Sequence, residues 1–96
     1  MASGNKTKQQ RVAEYQLKVQ KNYGDAQFLA QLSNQIFSMR EAINAHQNSM
    51  GVMMYKDDTY MHKLFDELTK MSTNIEKEAN NRSMEALRYE TALKTM

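Results

Sequence analysis

The sequence predicts an all-α protein: an antiparallel two-helix hairpin, coiled-coil-like, that completes a four-helix bundle by dimerisation. The chain contains no proline and only three glycines among its 96 residues, so few positions can interrupt a helix. Apolar residues recur at alternating intervals of three and four residues in two separate stretches, which is typical of helices that pack side by side. The two stretches mirror each other, as a chain that doubles back requires.

These two apolar stretches are predicted to form the buried seam of the hairpin. The first consists of Leu29, Leu32, Ile36, Met39, Ile43, His46 and Met50. The second consists of Met61, Leu64, Leu68, Met71 and Ile75.

The pairing between the two stretches follows from their symmetry. In four predicted pairs the position numbers add to 107. These pairs are Ile43 with Leu64, Met39 with Leu68, Ile36 with Met71, and Leu32 with Ile75. A constant sum is the mark of two antiparallel helices in one register. It predicts that the chain turns back between Met53 and Met54.

The whole chain, 1–96, is predicted to be a single domain, with its first helix over about 6–48. The segment from Lys6 to Lys21 carries a net charge of +4, whereas the whole chain carries +2. Apolar side chains still recur there at helical spacing. Two interpretations stay open for this basic arm: the solvated side of a hairpin helix, which the sequence favours, or a site for phosphates of nucleic acid or of an acidic membrane surface.

At most a kink or irregular turn is predicted at 22–25, where Gly24 costs roughly 1 kcal/mol in a helix interior and Asp25 is a suitable N-cap for a restart. The mirror pairing continues beyond it, now with a sum of 108, as for Tyr15 with Leu93. This one-residue slip is expected to coincide with an extra four-residue step in each helix, a stutter that locally unwinds a coiled coil.

The tip is predicted over 49–57. Gly51 supplies a turn residue, while Asp57, Asp58 and Thr59 are N-cap candidates for the second helix. The segment Val52-Met53-Met54-Tyr55 between them is apolar throughout. Because loops at the ends of bundles are normally polar, these four residues either cover the end of the hairpin or bind a partner.

The second helix is predicted over about 58–95, with six cations balancing six anions from Thr59 onward. Arg82 falls opposite the Gly24 region, where we expect it to pair with Asp25. This polar middle of the hairpin is a candidate for fixing the register, as polar groups do in coiled coils, and simple exposure is an equal alternative.

The sequence offers no pattern typical of catalysis. Cysteine is absent, and so are a glycine-rich phosphate loop and a serine nucleophile motif. Asp58, His62 and Asp66 share one helix face, with His46 across the hairpin, but two histidines in a short helical protein more often lie on the surface than bind metal. We therefore predict no enzyme activity, no metal, no cofactor and no small-molecule substrate.

Apolar residues that the predicted seam does not use indicate a partner. A two-helix hairpin of this size buries little by itself, so we expect a homodimer, or a heterodimer with another helical protein. The candidate partner-binding residues are Leu17, Phe28, Phe37, Val52, Met53, Met54, Tyr55, Phe65, Met84 and Leu87.

The overall plan resembles the small helical-hairpin proteins of bacterial type VII secretion. These are chains of similar length that fold as two antiparallel helices about a central glycine, which implies pairing into four-helix bundles. Ser49-Met50-Gly51 stands where that family carries Trp-x-Gly, and only the glycine matches. The family's Tyr-x3-acid motif is also altered, because Tyr89 is followed four residues later by Leu93. A weaker likeness is to type III secretion chaperones.

The function favoured by these observations is protein–protein interaction without catalysis, as a partner, substrate or chaperone in a secretion system. The alternative is a nucleic-acid or acidic membrane-surface binder that uses the basic arm, although nucleic acid is the less favoured ligand. No segment resembles a signal peptide or a membrane span. The expected location is therefore cytoplasmic, with export lacking a cleavable signal peptide as the alternative.

Overall fold

The computed structural model describes residues 7–50 and 57–96, which form two long helices. Helix α1 spans Lys8–Met50 and helix α2 spans Thr59–Thr95. The two run antiparallel, because Tyr15 near the start of α1 packs edge-on against Tyr89 near the end of α2, with ring centroids 5.0 Å apart. They form a rod measuring 73 by 22 by 14 Å. The predicted all-α hairpin is confirmed.

Each helix begins at a capping residue. In front of α1, the Gln10 backbone N–H donates to the Thr7 hydroxyl at 3.1 Å, and the Thr7 backbone N–H donates to the Gln10 side-chain oxygen at 2.9 Å. This reciprocal pair is a capping box, and it starts α1 two residues later than expected. In front of α2, the Asp58 carboxylate accepts from the Met61 backbone N–H at 3.0 Å. Asp58 is thus the N-cap among the three candidates.

Helix α1 is continuous through residues 22–25, where the sequence predicts at most a kink or irregular turn. A Cβ added to Gly24 would meet no atom within 4 Å, so this glycine faces open space. Gly24 destabilises the helix by roughly 1 kcal/mol at this one position, whereas packing against α2 stabilises α1 on both sides of Gly24.

One set of buried or partly buried positions recurs along both helices at intervals of three and four without a break, and we call this set the seam. In α1 the seam is Val12, Tyr15, Val19, Asn22, Ala26, Leu29, Ser33, Ile36, Arg40, Ile43 and Gln47. In α2 it is Met61, Phe65, Leu68, Ser72, Ile75, Ala79, Arg82, Ala86, Tyr89, Leu93 and Met96. The predicted stutter is wrong, since the seven-residue repeat runs without one.

Half of the predicted seam lies outside the observed one. Met39, Met50 and Met71 are 53%, 48% and 50% exposed, and His46 is exposed as well. Leu32 and Leu64 are partly buried beside the seam. The residues buried in their place include small or polar ones, namely Ser33, Gln47 and Ser72.

The reason for this difference is steric. Serine and alanine side chains at facing positions let two helices approach closely, so backbone packing favours them over longer side chains. Ala26, Ala79 and Ala86 occupy the equivalent positions farther from the tip and are also buried. The larger residues beside them then lie at the edge of the interface.

The hairpin keeps a single register along the described length. The hydroxyl oxygens of Ser33 and Ser72 lie 3.1 Å apart, and the Arg40 guanidinium lies 4.9 Å from the Phe65 ring centre. Both pairs of position numbers add to 105. The predicted sums of 107 and 108, and the slip between them, are therefore wrong. The predicted turn between Met53 and Met54 lies outside the described residues.

Candidate partner-binding surface

The seam has two flanks, and hydrogen bonds between the helices identify which residues share each of them. On one flank, Tyr23 donates to the Glu90 carboxylate, and Ser33 donates to Glu76 at 3.1 Å. Ala30 lies seven residues after Tyr23 on this same flank. Ala30 lines two shallow grooves there. Tyr23 also lines the first groove, and Glu76 also lines the second.

The other flank is marked by an ion cluster centred on Arg82. Its Nη1 donates to Asp25 Oδ2 at 3.1 Å, and its Nε donates to Glu78 Oε2 at 2.7 Å. The predicted pairing of Arg82 with Asp25 is thus confirmed. Glu85, seven residues after Glu78, lines a groove on this flank together with Asn22.

The same seven-residue spacing carries this second flank toward the tip. Leu32 and Met39 follow Asp25 at intervals of seven, while Met71 and Leu64 precede Glu78 at intervals of seven. Residues seven apart in a coiled-coil helix lie on the same side. The four apolar side chains therefore share the flank that Asp25 and Glu78 occupy.

Two aromatic residues extend this set, because each lies one turn before a leucine of the flank. Phe28 precedes Leu32 by four residues, and Tyr60 precedes Leu64 by four. Phe28 is 62% exposed and Tyr60 is 71% exposed. We call these six residues the apolar face. They are Phe28, Leu32, Met39, Tyr60, Leu64 and Met71.

The apolar face is contiguous across both helices. In the observed register Leu32 is level with Met71 and Met39 is level with Leu64, so the two helices present their apolar residues side by side. Tyr60 and Leu64 also line one shallow groove. A contiguous exposed apolar area bordered by charged groups is typical of a binding surface, whereas scattered single residues are not.

The ion cluster that borders the apolar face is electrostatically satisfied. Lys21 Nζ lies 2.7 Å from Asp25 Oδ2, and this hydrogen bond, with Arg82 nearby, lowers the pKa of the Asp25 carboxyl. The hydrogen bonds from Arg82 and Asn81 likewise lower the pKa of Glu78. At neutral pH this border is therefore charged and internally paired.

The basic arm is partly neutralised by residues of the hairpin. Lys18 Nζ lies 3.8 Å from the Glu14 carboxylate and 5.1 Å from the centre of the Tyr89 ring. It also donates to the Tyr89 hydroxyl at 3.4 Å, and this bond raises the pKa of Lys18. Lys21 is engaged by Asp25. Lys6 lies outside the described residues.

The predicted phenylalanine sites lie in three different places. Phe28 belongs to the apolar face. Phe37 is 51% exposed on the opposite flank, where the Arg40 guanidinium lies 5.6 Å from its ring centre. Phe65 was expected off the seam, but it lies within it, partly buried and covered by Arg40. The reason is that Phe65 stands seven residues before the buried Ser72.

Three other predicted sites that the structure describes do not join the apolar face. Leu17, Met84 and Leu87 are 66%, 64% and 57% exposed, and they lie on the outer sides of the helices toward the chain ends. The segment Val52-Met53-Met54-Tyr55 lies outside the described residues. Among the predicted sites that the structure describes, Phe28 is the one that lies on this surface.

Sequence reasoning missed five of the six residues as binding candidates, because it assigned four of them to the seam and passed over Tyr60. A signal for the correct assignment was present. Ala26 and Ser33 in α1, and Ser72, Ala79 and Ala86 in α2, place small residues at successive intervals of seven. Such a repeat is typical of closely packed helices.

The described residues contain no group of three or more His, Asp or Glu side chains placed to hold a metal ion. Neither α1 nor α2 has a stretch long and apolar enough to cross a membrane. No protein family, curated protein or solved structure matches this chain.

Proposed function

We propose that this chain is a non-enzymatic protein–protein interaction module that pairs with a second helical hairpin through the apolar face. The observation that carries the proposal is the exposure of Phe28, Met39, Tyr60 and Met71 on one side of a hairpin whose seam is already filled. Burial of apolar area is the main favourable term in association. Covering this surface with a partner would therefore contribute favourable free energy to binding.

The chemistry of the apolar face favours a helical partner. Its residues follow two parallel rows, one on each helix, so a matching pair of helices would complete a four-helix bundle. Met39 and Met71 lie near its centre, and methionine side chains adapt to the shape of a partner. The partner is either a second copy or a different helical protein.

The setting we propose is a bacterial secretion system, with the chain as partner, substrate or chaperone. Support comes from its likeness in length and plan to the type VII helical hairpins. The proposed location is the cytoplasm, with export lacking a cleavable signal peptide as the alternative.

Capture from a native lysate tests the proposal. The bait is the tagged full chain, compared with a Met39→Glu/Met71→Glu variant, and the readout is the set of co-purifying chains, including an untagged copy of the bait. We expect the wild type to capture a helical protein or itself and the variant to lose it. Circular dichroism checks that the variant remains helical, since methionine and glutamate have similar helix propensities.

A matched control carries the same charges on other exposed apolar residues. Leu17→Glu/Met84→Glu changes side chains that are somewhat more exposed than Met39 and Met71 and lie away from the apolar face, so it should retain capture. Loss of capture in the control but not in the face variant would contradict the proposal.

Salt dependence separates this function from phosphate binding by the basic arm. Capture through the apolar face should change little between about 0.05 and about 0.5 M salt, whereas binding to nucleic acid or acidic vesicles weakens steeply over that range. Strong, salt-sensitive binding to either ligand, together with failure to capture any protein, would favour the alternative.

A further inference from the structure

The charges that border the apolar face point to the identity and orientation of its partner. We propose that the apolar face binds a second copy of this chain, with the two tips at the same end, in a bundle whose neighbouring helices are all antiparallel. This inference rests on the proposed function, because it names the partner of the same surface.

The geometry follows from a two-fold axis that runs along the hairpin. Rotation about such an axis, lying in the plane of contact, places α1 of one copy against α2 of the other. Each residue then meets the residue that is level with it in its own hairpin. Leu32 faces Met71 of the second copy and Met39 faces Leu64, so apolar rows meet apolar rows.

The charges outside the apolar face fit this arrangement. Lys18 falls level with Glu85 of the second copy, one repeat beyond the ion cluster. Glu14 falls level with Arg88 on the same side. Both of these pairs bring opposite charges together, on the chain-end side of the apolar contact.

One pair of like charges faces across the same interface. Asp25 falls level with Glu78 of the second copy. Within each copy, however, Arg82 already lies 3.1 Å from Asp25 and 2.7 Å from Glu78, so a cation accompanies each pair of carboxylates.

The opposite orientation, with tips at opposite ends, fits less well. It places α2 against α2, and overlap of the apolar faces then brings the Asp57 carboxylate level with the Glu78 carboxylate of the second copy, which is a repulsion. The apolar face also lies nearer the tip than the chain ends. Tips at opposite ends would leave the Val12 end of each hairpin without a partner helix.

Cysteine cross-linking tests the orientation, because the natural chain contains no cysteine. One preparation carries Lys21→Cys and the other carries Asn81→Cys. In the proposed dimer these two positions lie level with each other on the outer edge of the contact. On mixing and oxidation they should form a disulfide between copies only when the tips are aligned. Both positions spare the apolar face and the proposed Lys18 and Glu85 contact. Each substitution removes one hydrogen bond of the ion cluster, while the ion pairs of Arg82 with both carboxylates remain.

A second variant reports the other orientation. Gln35→Cys lies at the centre of the α1 edge of the apolar face, so it would meet itself only if the tips were opposed. We expect a sedimentation mass of twice the 11.2 kDa chain at micromolar concentration, the Lys21→Cys with Asn81→Cys product, and no Gln35→Cys dimer.

Two results would overturn the inference. One is efficient Gln35→Cys cross-linking without the mixed product. The other is a monomeric mass for the wild type at every concentration tested. If the monomer still captured a different helical protein, and Met39→Glu/Met71→Glu abolished that capture, the proposed function would stand while the second copy would be excluded.

Discussion

The two halves of the hairpin hold together by different means. In the half near the tip, the seam buries large aliphatic side chains, with Ile36 and Leu68 each 6% exposed. In the half near the chain ends, the most buried residues are alanines, among them the fully buried Ala86. That second half has an ion pair between the helices, Arg82 with Asp25, whereas the tip half has hydrogen bonds of Ser33 with Ser72 and Glu76.

The comparison shows that apolar content and burial need not coincide. The tip half has more apolar side chains than its seam uses, and the surplus forms the apolar face. The other half has little surplus on that flank, where Asp25 and Glu78 replace leucine and methionine. We therefore expect the tip half to supply most of the binding free energy, and the charged half to determine the orientation of the partner.

The largest expected effect is in the tip half. Ile36→Ala should lower the free energy of unfolding by about 2–5 kcal/mol, because it removes a buried side chain and leaves a cavity in the seam. Leu17→Ala, at a 66% exposed position, should change it by less than about 0.5 kcal/mol. Urea unfolding at one fixed protein concentration measures both. Equal effects of the two substitutions would show that Ile36 is not a seam residue.

An intermediate effect is expected in the other half from a larger side chain. Ala86→Leu should cost about 1–3 kcal/mol, since Ala86 has no exposed surface and close helix approach leaves no room for added atoms. Ala13→Leu, at an exposed position of the same half, is the control and should be nearly neutral. Stabilisation by Ala86→Leu would mean that this half is loosely packed.

The smallest effect is a pH dependence confined to the charged half. The pKa values of Asp25 and Glu78 are lowered by Lys21 and Arg82, so their contribution is present at neutral pH. It should be lost as the pH falls below about 4, the ordinary carboxyl range, and through the lowered values. Hydrogen exchange should then rise around Asp25 before it rises around Ile36.

Substitution of the cation sharpens that test. Arg82→Gln should reduce the loss of protection on acidification, whereas Lys77→Gln, at an exposed position outside the cluster, should leave it unchanged. Identical acid profiles for the wild type and Arg82→Gln would show that the cluster contributes nothing to stability.

The fold class was predictable from sequence because helical spacing, absent proline and mirror symmetry all indicate a hairpin. The correct register was not. Periodicity favours the most apolar pair of stripes, and in this chain Leu32 and Met39 are more apolar than Ser33 and Arg40. Close packing of helices depends on side-chain size as well as hydrophobicity, and that competition is decided in three dimensions.

The same error displaced the candidate site. Once Met39 and Met71 were assigned to the interior, the surplus apolar residues had to be sought elsewhere, at positions such as Leu17 and Met84. Phe28 was identified because it lies off both the predicted and the observed seam. An alternative stripe of small residues, recurring every seven positions, is thus a useful warning when a larger apolar stripe lies beside it.

The unbroken repeat also makes the hairpin modular in length. The position numbers of Ser33 and Ser72 add to the same sum as those of Arg40 and Phe65. The two helices therefore face each other in the same way at each seven-residue step. Removing residues 19–25 from α1 and the level segment 80–86 from α2 would bring Ala26 and Ala79 into the next layer in register. The rod would shorten by about 10 Å while the residues of the apolar face kept their positions relative to one another. A protein built this way can act as a spacer whose reach is adjusted by whole repeats.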